Sequence, residues 1–428
     1  DYNTISVIEE ELGHDYLDEI RWALEDLRDV LSEYTTEDNF KVNADGAILL
    51  DADTGQILYE QNANSSLGLA SMSKLMTVYI LLDHIRADKI KWEDTYTVSK
   101  RVHELSMDMN LGNVMLEEGR AYTIRELYES ILIFSANAST VGIAEFIAGN
   151  EADFLPLIDK KASDLQLEHY HFVNVTGLNN SDLQGHHVPG TGINDENVMS
   201  AKDVAKVGYS SMKDYPEIVE VTKLPRKVFG AGTSSVVEMT SWNYMLPGFL
   251  YEYEGVDGLK TGNTLFAGQC FIGTVKRDDQ RLIAVVLNAR DKDGNSNYEG
   301  RFGTTKQLFD YGLSQFTKEM LPAEASSVKI DGDTVTIEKP AIDLLKYKGV
   351  NYQTEVVPYE DIDVIEEGTA VGNTIVADVN YLYAPPINEA TSTMKVSYAS
   401  KAKDVSQGLG NYFSMLWQTI RNFVANLF

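Results

Sequence analysis

The spacing of apolar positions changes several times along the chain, and each change predicts a different element. Leu17, Ile20, Leu24, Leu27 and Leu31 recur at three- and four-residue steps, the stripe of one helix face, inside an acidic stretch over 1–40. Two strand-like runs, GAILLDA and QILYEQ, flank Asp53-Thr54-Gly55 and predict a hairpin over 46–60. From Ser71 to about Ile85 the apolar pattern is long and unbroken, as in a buried helix. Helical spacing resumes over 123–134 and 138–148. Residues 174–200 are rich in Asn, Gly, Asp and His and predict a long loop region, of the length that usually carries function or disorder. Strand character returns over 266–274 and 282–288, with 276–280 as the turn, and a further helix fits 302–316. Strands at both ends with helices between them predict an α/β domain whose antiparallel sheet joins N- and C-terminal strands.

After Pro322 the texture changes. Short strand candidates at 328–330, 335–337, 350–357, 362–364 and 374–377, separated by turns such as Asp331-Gly332-Asp333, predict a small all-β domain. From about Lys403, Leu409, Tyr412, Leu416, Ile420, Phe423 and Leu427 recur at helical spacing, widened by Phe413, Trp417 and Val424, with Gln, Asn and Ser on the far side. The resulting division is an acidic helical extension over 1–40, an α/β domain over 41–320, a small β domain over 321–400 and an amphipathic helix over 401–428.

Composition narrows the chemistry. The net charge of −29 repels a polyanion and argues against nucleic acid as a partner. Thirteen Asp or Glu against two Arg fall between Asp1 and Phe40. The lone Cys270 excludes an internal disulfide and a thiolate metal cluster. No run reaches the ~18 apolar residues that a spanning helix needs. Position 1 is not Met and no basic leader precedes an apolar run, so a processed or trimmed chain is the expectation.

Three short motifs carry the candidate chemistry: Ser71-Met72-Ser73-Lys74, Ser135-Ala136-Asn137 and Lys260-Thr261-Gly262. Each alone is weak. Ser-x-x-Lys also starts at Ser210, Ser326, Ser392 and Ser400, and Ser-x-Asn recurs at Ser241. The force lies in the ordered set, because Ser71 opens an apolar helix, Ser135 sits between two helical patterns and Lys260 leads into a strand. Residues three apart share a helix face, so the Lys74 amine can reach the Ser71 hydroxyl. That hydroxyl needs a base to become a nucleophile, and a lysine in apolar surroundings loses its charge readily. The helix N-terminus offers N–H donors to a developing oxyanion. Ser135 can relay a proton to a leaving amine and Asn137 can hold an amide. Lys260 supplies positive charge, Thr261 a hydroxyl for an anionic group, and Gly262 lets substrate backbone approach closely.

With these motifs, the segments Ala70–Thr77, Asp257–Gly262, Ala267-Gly268 and Val173–Leu178 make the chain resemble the low-molecular-mass penicillin-binding proteins, the serine-type D-alanyl-D-alanine carboxypeptidases, with relatives in Gram-positive cocci. The resemblance covers roughly 42–428 and is most specific over 42–315. It implies a penicillin-recognising transpeptidase-like fold, an antiparallel sheet with helices on both faces, followed by the small β domain and the C-terminal amphipathic helix. It implies Ser71 as nucleophile, Lys74 as general base and an oxyanion hole from the backbone N–H groups of Ser71 and Asn263. Arg301 matches an arginine that grips a terminal carboxylate. Ser71 would attack the carbonyl between the last two D-alanines of a peptidoglycan stem peptide, the terminal D-alanine would leave, and water would hydrolyse the acyl-enzyme. β-Lactams would acylate the same serine and leave slowly; no metal or cofactor is required. The C-terminal stripe would then lie in the outer leaflet of the cytoplasmic membrane, placing the protein at the extracellular face. The acidic stretch over 1–40 and Leu265, where relatives often carry Asp, depart from the pattern. A class A β-lactamase shares the three motifs but needs a Glu-x-x-Leu-Asn loop, which Asp182, Asp195 and Glu196 do not form. A non-catalytic envelope-binding scaffold is the other alternative.

Overall fold

The computed structural model describes residues 40–108, 110–330, 333–358, 370–383 and 392–398. The acidic helix expected within 1–40, the strand expected over 362–364 and the C-terminal helix expected from 403 lie outside the described residues. Contacts divide the chain after Val42 into two units, and the larger, which begins at Asn43, holds all the elements named below.

A five-stranded antiparallel sheet forms the frame. Its strands are β1 (Gly46–Asp51), β2 (Ile57–Gln61), β3 (Val256–Thr264), β4 (Gly268–Arg277) and β5 (Gln280–Ala289), in the order β3-β4-β5-β1-β2. The hairpin β1–β2 thus pairs with strands more than 200 residues away, Ile48 facing Val285 and Leu49 facing Ala284. All six β1 residues are buried, the mark of a strand covered on both faces.

The helices are α1 (Lys74–Arg86), α2 (Lys100–Ser106), α3 (Ile124–Phe134), α4 (Asn137–Ala148), α5 (Glu151–Asp164), α6 (Ala201–Asp214), α7 (Ile218–Thr222) and α8 (Tyr298–Gln315), of which α6, α7 and α8 pack on the sheet. Gly312 of α8 packs against Leu282 and Leu49, whereas Gly208 of α6 packs against Ile272. Ile272 pairs with Val285, one residue out of step with the Leu49–Ala284 pair, so α6 and α8 lie on opposite faces. Every residue from Lys74 to Leu82 is buried, which makes α1 a central helix surrounded on all sides. A 3₁₀ turn, Ala70–Ser73, leads into it, and Ala70 has a left-handed φ of 47°.

Several local signals explain the boundaries. Thr123 and Glu126 form a reciprocal capping box that starts α3. Asn150 caps α5 by accepting from Asp153 N–H at 2.9 Å. Four helices, α2, α5, α6 and α7, are not anticipated by the apolar spacing. The strand expected over 266–274 runs instead from Gly268 to Arg277, and only Asp278 and Asp279 separate it from β5. Lys260 does not lead into a strand but sits in the middle of one, because β3 begins at Val256.

Towards the C-terminus lie β6 (Phe316–Leu321), β7 (Glu324–Ile330), β8 (Asp333–Lys339), β9 (Ile342–Tyr347), β10 (Thr354–Pro358), β11 (Ala370–Val376) and β12 (Ser392–Tyr398). β6 pairs with β9, and the others form an antiparallel sheet in the order β7-β8-β12-β11-β10. Strand structure therefore starts at Phe316, directly after α8 and before Pro322. The buried Gln56 amide ties β9 to the first hairpin, donating to Leu345 O at 2.7 Å and accepting from Leu345 N–H at 2.9 Å.

Candidate active site

The three sequence motifs converge on one site. Ser71, half-buried in the 3₁₀ turn, lies one turn before Lys74, and the Lys74 amine (Nζ) donates to Ser71 Oγ at 2.8 Å. The same amine donates to the carbonyl of Thr176 at 2.8 Å. Lys74 has no measurable exposure. Burial, and then the positive charge of Lys260, hold its pKa well below that of an ordinary lysine.

Ser135 follows α3 in a left-handed conformation, φ 60°, which ends the helix and swings the chain into α4. Its hydroxyl accepts from Lys260 Nζ at 2.9 Å. Lys260 Nζ also donates to Thr261 O at 2.9 Å. Lys260 is 2% exposed, and burial followed by the charge of Arg301 pulls its pKa down to about 7. Asn137, the first residue of α4, donates through Nδ2 to Gly112 O at 3.0 Å, while its Oδ1 is buried with no hydrogen-bond partner among the described residues. The indole N–H of Trp242 donates to Phe134 O at 3.0 Å and backs the residue before Ser135.

Arg301 lies in the first turns of α8 and is 2% exposed. Its Nη2 donates to Gly262 O at 2.7 Å, and its Nε has no partner among the described residues. Burial lowers even this guanidinium to about 10. Lys74, Lys260 and Arg301 thus form a buried row of basic side chains, and among the described residues none of the three pairs with a carboxylate. Such a row attracts an anion that arrives with the ligand.

Gly262 is closely approached within the chain itself. A Cβ there would lie 2.8 Å from Leu69 O and 3.2 Å from Met72 N, so the close approach is by the chain's own turn around Ser71. Thr261 is buried beside it on β3, and Asn263 is exposed next along the strand, its Oδ1 accepting from Gln269 at 3.1 Å.

The loop region 174–200 contributes what the motifs do not. Asn174 Oδ1 accepts from Thr176 N–H, Gly177 N–H and Thr176 Oγ1 at 2.8–3.0 Å, which curls the chain so that Thr176 O faces Lys74. Gly177 has φ 77°, and a Cβ there would sit 1.8 Å from Ala70 O. Glu196 accepts from Thr264 Oγ1 at 2.6 Å and joins this loop to the end of β3. The sequence signal for the loop is the Asn174–Gly177 pair, an Asx turn followed by a positive-φ glycine.

Helices on both faces of an antiparallel sheet are the transpeptidase-like architecture of penicillin-binding proteins. The chain covers 99% of a solved peptidoglycan synthesis regulatory factor (PBP3) from Streptococcus pneumoniae, with a TM-score of 0.69, 33% identity and 84% of its own length matched. The chain belongs to the D-alanyl-D-alanine carboxypeptidase family, whose model matches residues 33–291. It is 32% identical over 273 residues to the D-alanyl-D-alanine carboxypeptidase DacF of Bacillus subtilis, a match of 64% of this chain and 63% of that one. The matched stretch thus spans less than two thirds of this curated relative. A further similar structure is penicillin-binding protein D2 from Listeria monocytogenes in its ampicillin-bound form, at 28% identity, covering 65% of this chain and 100% of that chain with a TM-score of 0.52.

Proposed function

We propose that the protein is a serine-type D-alanyl-D-alanine carboxypeptidase that removes the terminal D-alanine from peptidoglycan stem peptides through an acyl-enzyme on Ser71. The observation that carries this reading is the buried Lys74 amine 2.8 Å from Ser71 Oγ. A lysine whose charge is disfavoured by burial takes the hydroxyl proton as the oxygen attacks the substrate carbonyl. The backbone N–H groups of Ser71 and Asn263 stabilise the resulting oxyanion. The C–N bond then breaks, Ser135 passes a proton to the departing amine, and Lys260 holds the Ser135 hydroxyl in place. Asn137 holds the substrate amide through its unpaired Oδ1. Lys260, Thr261 and Arg301 receive the terminal carboxylate, for which the unpaired Nε of Arg301 is a donor in reserve. Water hydrolyses the ester and frees Ser71.

β-Lactams present the same carbonyl and an equivalent carboxylate, so they acylate Ser71 and inhibit the enzyme. A peptidoglycan substrate implies action outside the cytoplasm. Residues 321–400 serve as a small all-β domain and 401–428 as an amphipathic anchor in the outer leaflet, bound by hydrophobic insertion. Among the described residues no helix is long and apolar enough to cross a membrane.

The test is release of D-alanine from a synthetic peptide ending in D-Ala-D-Ala, beside the same peptide ending in L-Ala-L-Ala. One D-alanine per peptide from the first, and nothing from the second, supports the reading. No release from the D-Ala-D-Ala peptide would remove it.

A further inference from the structure

Glu151, the first residue of α5, is 1% exposed, which is unusual for a carboxylate and belongs to none of the three motifs. Its Oε2 takes the Arg101 guanidinium of α2. Its Oε1 accepts from the backbone N–H of Val175 at 3.3 Å. Val175 immediately precedes Thr176, whose carbonyl receives the Lys74 amine, and Val175 O itself accepts from Thr77 Oγ1 of α1 at 3.1 Å. The Glu151 carboxylate therefore holds the segment that faces the lysine at a second point besides α1.

Asn174 curls this segment, but Asn174 is part of it and cannot fix where the curl sits. Anchors on other elements must do that. Asn197 takes the Val173 and Asn174 N–H groups, and Glu151 takes Val175. Arg101 steadies Glu151 and also donates to His186 O at 3.1 Å, gripping the same loop region at a second point. The charged groups around Glu151 are Arg101 and, on α4, Glu145; the charged group around Lys74 is Lys260.

We propose that Glu151, braced by Arg101, is a positioning residue that sets the Thr176 carbonyl against the Lys74 amine. The inference rests on the reading of Lys74 as the general base. Withdrawing that carbonyl removes an acceptor that favours the ammonium form, so the Lys74 titration moves to lower pH even as the amine loses its aim at Ser71.

The experiment compares wild type with Glu151→Ala, Glu151→Gln and Arg101→Ala. Two quantities are read per folded molecule: the benzylpenicillin acylation rate, and the Lys74 titration midpoint by NMR of isotope-labelled lysine. Glu151→Ala is expected to lose at least about tenfold in acylation and to lower the midpoint. Glu151→Gln keeps an acceptor for Val175 N–H but turns its amide NH₂ towards Arg101, so it is expected to fall between wild type and Glu151→Ala in both. Arg101→Ala, which leaves the carboxylate unbraced, is expected to shift both in the same direction as Glu151→Ala and decides the matter if Glu151→Ala does not fold. A lowered melting temperature with acylation and midpoint unchanged would overturn the proposal and leave Glu151 a structural staple. A wild type that no penicillin acylates would instead refute the catalytic reading, and the lysine midpoint would still report whether Glu151 sets the carbonyl.

Discussion

Lys260 Nζ donates to Ser135 Oγ at 2.9 Å, joining the middle of β3 to the left-handed turn between α3 and α4 across 125 residues of chain. The bond brings the second and third motifs to one point. It also keeps a lysine in a place where its charge is disfavoured. Above pH ~10.5 the lysine is neutral in both folded and unfolded chains and burial costs nothing. As pH falls towards 7 the unfolded chain takes up a proton that the folded chain resists, because the folded value is about 7. Stability therefore falls over this window and levels off below it.

Lys260→Met is expected to lack the Lys260 share of that slope. Its melting temperature relative to wild type should rise as the pH is lowered from 10 to 7, by an amount equivalent to a few kcal/mol at most (about 1.4 kcal/mol per pH unit), while acylation is lost. Thermal melts of both proteins across this range check it. A difference that stays constant with pH would contradict the buried, neutral lysine.

Lys74 governs the rate as well, and its own burial adds a stability slope of the same sign that Lys260→Met retains. With its pKa held well below that of a free lysine, benzylpenicillin acylation should rise with pH along a limb well below 10.5 and then level off. Lys74→Arg, whose guanidinium stays protonated, should lower acylation by about 10²- to 10⁴-fold. Stopped-flow acylation over pH 5–10 measures both, and a limb centred near 10.5 would argue against a buried base.

Gly177→Ala should be severe. Its φ of 77° strains any L side chain, and the added methyl would meet Ala70 O at 1.8 Å. A loss above about 2 kcal/mol is expected in urea unfolding, together with slower acylation. Gly303→Ala in α8 is the control: the nearest atom would be 4.0 Å away, so the change should be neutral or stabilising by about 0.5–1 kcal/mol.

Phe302 is 1% exposed and centres an aromatic cluster with Tyr244, Tyr251 and Phe271 at ring distances of 5.3–5.9 Å. Phe302→Ala should cost about 3–5 kcal/mol and, by loosening the turn that carries Arg301, weaken acylation by carboxylate-bearing β-lactams. Chemical denaturation and a β-lactam titration test the two effects.

The readable parts of the chain are those whose contacts are short in sequence or strictly periodic. Ser71 and Lys74 are three residues apart at the start of an apolar run, and the structure places them one turn apart. The hairpin around Asp53-Thr54-Gly55 and the helices flanking Ser135 are visible for the same reason. β3 is illegible because Gly258, Lys260, Gly262 and Asn263 break any alternation of apolar residues, yet pairing with β4 secures it. In α5 the stripe is interrupted by Pro156, and only the Asn150 cap announces the helix. The start of α6 does carry a signal, Ser200 capping Asp203 N–H at 3.1 Å, that the apolar spacing alone does not reveal. The partner of Lys74 on the loop is a backbone carbonyl, which no residue type encodes directly.

Intact-mass spectrometry after incubation with benzylpenicillin, on wild type and on Ser71→Ala, tests the central assignment most directly. The expected result is a persistent adduct of one penicillin on the wild type and none on the variant. An adduct that survives in Ser71→Ala, or a wild type that carries none, would contradict Ser71 as the acylated nucleophile.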